Sequence, residues 1–239
     1  LGGDPAAVAR KAGLSDRVFE DPDLFVQAGH IIDYLELAAA ACDRPDFGLL
    51  HARRLPLGML GHGWMIMRAA ATIGEALMDF VHLYGLYTDA GSLHAQRCGE
   101  GLWIASSFLP VGRFGVTQAV HLTLGCICLF VRENLNHRWQ PRRIEMRTVP
   151  IDPAPFVEFF GPGTCYGQDR DAILVDNRTL AFPMGGGSEH RAVHHAMVSQ
   201  TAGHGTAGVA QVKSLLQVLV RHAGCSIETV GEALAVSPR

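Results

Sequence analysis

The stretch "GHGWMIMR" (residues 61–68) sets His62, Trp64 and Arg68 among methionines and glycines. A titratable ring, an indole and a guanidinium beside an apolar wall are the materials of a small-molecule site. The apolar groups give shape and burial, and the few polar groups fix orientation. Gly61 and Gly63 would let a ligand approach the backbone closely. The same residues also suit an ordinary core helix with Arg68 at its edge, and for His62 and Trp64 the spacing leaves both readings open. Trp103 and His121 are further candidates for such a site; each stands in an apolar run and also reads as core.

Other chemistries find less support. Twelve histidines raise the question of a metal. His190 and His194 are four apart, on one face if that segment is helical. No H-E-x-x-H pattern and no third ligand accompany them, so no metal site is expected. Cys98, Cys126 or Cys165 could be paired with His94 or His121 as nucleophile and base, yet nothing adds an orienting acid and an oxyanion hole. "GPGTCYG" (161–167) lacks the spacing of a dinucleotide fingerprint, and "GGG" (185–187) precedes no Lys-Ser/Thr pair. No catalytic residues, no cofactor and no enzymatic activity are expected.

These residues must be held by a fold that the composition can support. The chain has 239 residues, 48% hydrophobic and 18% charged, enough for one large domain or a large and a small one with a sizeable core. A net charge of -3 carries no global nucleic-acid signature, so any DNA contact must be local. Six widely spaced cysteines do not make a disulfide scaffold. Cys126 and Cys128 point away from each other on a helix and read as buried thiols. The apolar run 114–131 is interrupted by Gln118 and His121 and reads as a core helix, not a membrane span. No secretory leader is read at the start. A reducing, cytoplasmic setting without membrane attachment is expected.

Residues 4–14 carry Asp4 as an N-cap, Pro5 at the first helical position and Gly13 as a stop. Further helices are expected over 23–42, 44–55, 57–71 and 72–88, the last opened by a Thr72/Glu75 capping box. Residues 92–98 and 101–109 flank Gly99-Glu100 as a β-hairpin. A core helix over about 114–136, a strand over 142–150, a short helix over 154–161 and a strand pair within 164–176 follow, with 177–184 closing the unit. This order predicts an α+β domain over 1–185. A Gly-, Ser- and His-rich linker is expected over 186–208. The amphipathic helix 209–223 ends at Gly224, and a second helix is expected over 226–234.

The last residues, "SIETVGEALAVSPR", show helix spacing with a small residue (Gly231) inside the helix, a short turn at Ala235-Val236, and a new N-terminus at Ser237 with Pro238 behind it. That is the pattern of a helix-turn-helix opening, whose second helix lies in the DNA major groove. Spacing alone does not separate it from a plain helical hairpin. The segment resembles the DNA-binding region of AraC/XylS-type transcription regulators through Ser226, Ile227, Glu228, Val230, Leu234, Ser237, Pro238 and Arg239. Gly231 stands where that family usually has Ala, and Ala235 where it usually has Gly. An Ala in a turn that favours positive φ costs about 1 kcal/mol.

The resemblance extends upstream through "PDFG" (45–48), "TIGEAL" (72–77), Phe160-Gly161, and Asp176 with Leu180. These landmarks are similar to the arabinose-binding-like N-terminal domain of the subgroup with ornithine-, proline- and virulence-related regulators. The resemblance implies a homodimer that senses a small-molecule effector through residues 1–185 and contacts DNA through a domain beginning at 209–239. Ser237, Pro238 and Arg239 would open the reading helix, completed by residues past Arg239. The chain by itself is then expected to bind DNA weakly or not at all. The alternative is a stand-alone ligand-binding or dimerising module without DNA binding.

Overall fold

The computed structural model describes residues 2–21, 24–56, 58 and 61–185. Helix α1 (Pro5–Ala12) begins where the Asp4 carboxylate accepts the Ala6 and Ala7 N–H groups, and stops at Gly13 with φ 84. Helices α2 (Ala28–Ala41), α3 (Phe47–Ala52) and α4 (Gly61–Ala69) follow, each shorter than the spacing predicts. Helix α5 (Ile73–Leu83) carries the expected cap, as Thr72 Oγ1 accepts the Glu75 N–H at 3.2 Å. The Glu75 carboxylate reaches back to the Ala71 N–H at 2.9 Å, one residue before the cap itself.

One five-stranded sheet follows, with strands β1 (Gly91–Cys98), β2 (Gly101–Phe108), β3 (Arg143–Glu145), β4 (Thr164–Cys165) and β5 (Asp171–Asp176) in the order β1-β2-β5-β3-β4. The β1–β2 hairpin turns at Gly99-Glu100 with Cys98 opposite Gly101, as expected. Two features differ from the sequence reading. The 142–150 strand is only three residues long, because the Arg147 N–H turns to the Asp171 side chain at 2.8 Å instead of a strand neighbour. And β4 does not pair with β5: β3 lies between them, parallel to β4 and antiparallel to β5. Gln168 donates its N–H to the Met146 carbonyl, so the connection passes over the end of β3 instead of folding back as a hairpin.

Helix α6 (Thr117–Asn134) packs on the sheet, and α7 (Ala154–Phe160) and α8 (Asn177–Leu180) complete the α+β unit. The core joins Leu102, Ile104, Ile144, Ile173 and Val175 of the sheet to Leu124, Ile127 and Val131 of α6. Ile73 and Leu77 of α5 and Phe156, Phe159 and Phe160 of α7 close over them. Each such fully buried side chain contributes about 1.5–3 kcal/mol of hydrophobic stabilisation.

The N-terminus of α6 organises the helices around it. Val116 offers no capping side chain, so Glu36 of α2 accepts the Gln118 N–H at 2.7 Å. The Gln118 side chain then accepts the Gly48 N–H at 2.8 Å and donates to the Pro45 carbonyl at 3.0 Å. A Cβ on Gly48 would fall 2.3 Å from the Gln118 carbonyl oxygen, and one on Gly125 would fall 2.8 Å from the Ala52 Cβ. Helices α3 and α6 therefore cross at a distance that only small residues permit.

Residues 181–184 return to the start of α5. Thr72 bridges Pro183, Ile73 donates its N–H to the Phe182 carbonyl, and Met184 donates to the Ala71 carbonyl. The expected linker 186–208, the helices over 209–234, and Ser237, Pro238 and Arg239 lie outside the described residues.

Candidate ligand site

The residues singled out from the sequence occupy three different surroundings. His62 lies in the first turn of α4; its side chain is outside the described set. Trp64 stacks edge-on against Phe130 of α6 at 5.7 Å, and the Arg68 guanidinium stands 6.0 Å over the same indole. Trp103 is on β2, in phase with neither Leu102 nor Ile104, so it faces the other side of the sheet. The Arg170 guanidinium covers its ring at 4.3 Å and is held by Glu145 at 2.7 Å. His121, on α6, is buried against Phe156 at 4.8 Å, and its Nδ1 has no hydrogen-bond partner among the described residues. Burial pushes its pKa down to about 4, against the pull of the Asp46 carboxylate, so the ring is neutral at pH 7.

A cavity of about 260 Å³ lies elsewhere, where the apolar face of the sheet runs out. On β2 the residues facing α6 are Leu102, Ile104 and then Ser106. Their partners on β5 are Val175, Ile173 and Asp171. The last rung of the core face is thus a polar pair. Ser107, Thr117, Arg147 and Thr148 extend that polar wall, and Phe108, Pro110, Val116 and Val120 line the opposite one.

Ser106 is 5% exposed, and its hydroxyl has no hydrogen-bond partner although Asp171 stands directly across the strand pair. A buried orphan of this kind costs about 1–3 kcal/mol, so it needs a reason. Asp171 accepts the Arg147 N–H at 2.8 Å, and its other oxygen lies 3.9 Å from Arg147 Nε. Burial raises its pKa, opposed by the Arg147 backbone N–H and guanidinium. The Arg147 Nε is held by the Asp169 carbonyl at 3.0 Å.

None of Trp64, Arg68, Trp103 or His121 lines this cavity. Ser106, Arg147 and Asp171 were not singled out from the sequence. The one signal available was a Ser in phase with Leu102 and Ile104, a polar residue continuing an apolar strand face. A second, more open recess of about 340 Å³ lies between α1, α2 and α3, beside Tyr34, Cys42, Phe47 and His51; among the described residues no unpartnered buried polar atom faces it. Among the described residues no cluster of three or more His, Cys, Asp or Glu could hold a metal ion. No helix among them is long and apolar enough to cross a membrane.

The sequence landmarks now have structural roles in a domain of this architecture. The family model described as the arabinose-binding domain of AraC transcription regulators, N-terminal, matches residues 2–184. The chain belongs to this family of AraC-type transcription regulators. It is 38% identical over 248 residues to the HTH-type transcriptional regulator VirS of Mycobacterium tuberculosis, in two strains, covering 100% of this chain and 72% of the relative. It is also similar in fold to the crystal structure of the transcriptional regulator CdpR from Pseudomonas aeruginosa. The TM-score is 0.57 at 13% identity, over 99% of this chain and 77% of that one.

Proposed function

We propose that this chain is the sensing part of a DNA-binding transcription regulator, with a ligand held in its N-terminal domain and a helix-turn-helix beginning near residue 209. The observation that carries the reading is the similarity to VirS, which runs through all of this chain, past the N-terminal family match that ends at 184. The terminal pattern from Ser226 to Arg239 supports it. So does a cavity that offers an apolar wall, a cation and an unpartnered hydroxyl. On this reading the protein is a non-enzymatic, cytoplasmic homodimer.

The ligand acts by population shift. It changes the relative placement of two DNA-binding units only to the extent that it binds one arrangement more tightly than the other. The product of the whole open reading frame is tested by fluorescence anisotropy on duplexes from its own upstream region. Sequence-selective binding with a strong salt dependence is expected. Absence of any selective binding, with a monomer in sedimentation, would leave a ligand-binding module without DNA contact.

A further inference from the structure

We propose that the cavity between β2, α6 and the Arg147–Thr148 loop takes a small monocarboxylate, its carboxylate on Arg147 and a second polar group on Ser106. This rests on the sensor reading and names the ligand class of that same site.

One buried group in the cavity is left without a partner, and a half-exposed cation at its mouth is anchored by its inner edge alone. Ser106 is buried at the end of the apolar stripe, its hydroxyl unmatched. Arg147 is fixed at its root: its N–H goes to Asp171 and its Nε to the Asp169 carbonyl. The two terminal guanidinium nitrogens have no hydrogen-bond partner among the described residues. An anchored fork with its outer edge unpaired matches the planar geometry of a carboxylate.

Asp171 sets the charge of the occupant. Its carboxylate lies 3.9 Å from Arg147 Nε and already offsets part of the cation. A dianion such as phosphate would meet that second negative charge, whereas a monoanion leaves the trio of Arg147, Asp171 and ligand with one excess charge at most. Phe108, Pro110, Val116 and Val120 set its body. This wall accepts a short carbon chain or ring, and sugar hydroxyls turned toward it would be left unpaired. The volume of about 260 Å³ suits a molecule of roughly ten heavy atoms.

The test uses the full chain in thermal-shift and calorimetric titrations. The probes are linear monocarboxylates from butyrate to octanoate, each with and without a terminal hydroxyl, against hexanamide, inorganic phosphate and L-arabinose. At 100 times its dissociation constant a binding carboxylate should raise Tm by about 5–10 °C. Hexanamide and phosphate should leave Tm unchanged. Arg147→Lys, which keeps the charge and loses the fork, should weaken carboxylate binding at least tenfold. Ser106→Ala should abolish the preference for the hydroxylated members. Thr148→Trp, at the half-buried rim, should fill the cavity and block all of them even if Arg147→Lys proves unstable.

The proposal is overturned if no carboxylate raises Tm, if arabinose or phosphate does so instead, or if carboxylates bind Arg147→Lys and Thr148→Trp as tightly as the parent. Each of these leaves the regulator reading standing. That reading fails on the separate DNA-binding measurement.

Discussion

Gln118, in the first turn of α6, and Gly48, in the first turn of α3, are joined by a 2.8 Å hydrogen bond from the Gly48 N–H to the Gln118 side-chain oxygen. The side-chain nitrogen of Gln118 meanwhile donates to Pro45, so one glutamine holds the entry of α3 at both its donor and its acceptor. The helices approach until a Cβ at position 48 has no room.

Gly48→Ala should therefore destabilise the protein by about 1–3 kcal/mol, as overpacking against backbone does. The new methyl would meet the Gln118 carbonyl oxygen, which cannot swing aside like the tip of a side chain. Gly85→Ala is the control, since a Cβ there meets nothing within 4 Å. Urea unfolding should show a lowered midpoint for the first variant alone; equal midpoints would mean the crossing is looser than described.

The acid limb of stability should carry the mark of His121. Its folded pKa is about 4 and its unfolded value about 6.5, so the unfolded chain binds the extra proton between those pH values. Stability then rises with pH across that window and falls on acidification from about 6.5 toward 4, by on the order of 3 kcal/mol in total. His121→Phe should flatten that slope in denaturation curves taken at a series of pH values. A slope that survives the substitution would assign the effect to other groups.

Asp33 of α2 accepts the Arg113 N–H at 2.6 Å and the Arg113 Nε at 2.7 Å, while Arg113 also donates to the Lys11 carbonyl. The carboxylate is buried, but the Arg113 side chain is largely exposed, so the charge pairing itself is screened. Asp33→Ala should still cost about 2–3 kcal/mol, because a backbone donor is left unmatched. Asp33→Asn keeps an acceptor and should recover part of it. Thermal melts of the two variants distinguish these outcomes.

Cys126 and Cys128 should be inert in the native protein. Burial pushes both thiols up to about 12, which leaves almost no thiolate at pH 8. Among the described cysteines, Cys98, exposed at the end of β1, should react with iodoacetamide first. Mass mapping of labelled peptides checks this; rapid native labelling of Cys126 or Cys128 would contradict their burial.

Much of this architecture could be read in advance where a local rule decides it. Asp4 and Gly13 bound α1, Thr72 caps α5, and Gly99-Glu100 turns the hairpin, because caps and tight turns depend on residues a few positions apart. Asp176, a landmark of the family resemblance, proves to cap α8 by accepting the Thr179 N–H. The strand order was not legible: placing β3 between β4 and β5 depends on pairings twenty or more residues apart. The cavity was hidden for the same reason. Ser106, Thr117, Arg147 and Asp171 come from four separate elements or loops, and no spacing along the chain announces that they meet. Trp64 and Arg68 stood out by residue type, which tells what a side chain could do but not what surrounds it.

The bridge between Thr72 and Pro183 has a mechanical consequence. Hydrogen bonds on either side of it pin residues 182–184 to the start of α5, directly after the helix that bears Trp64 and Arg68. Whatever follows Gly185 therefore departs from a fixed anchor on the helical layer and not from the sheet. A movement of the start of α5 would carry that point of departure with it like a rudder post, without breaking a strand pairing.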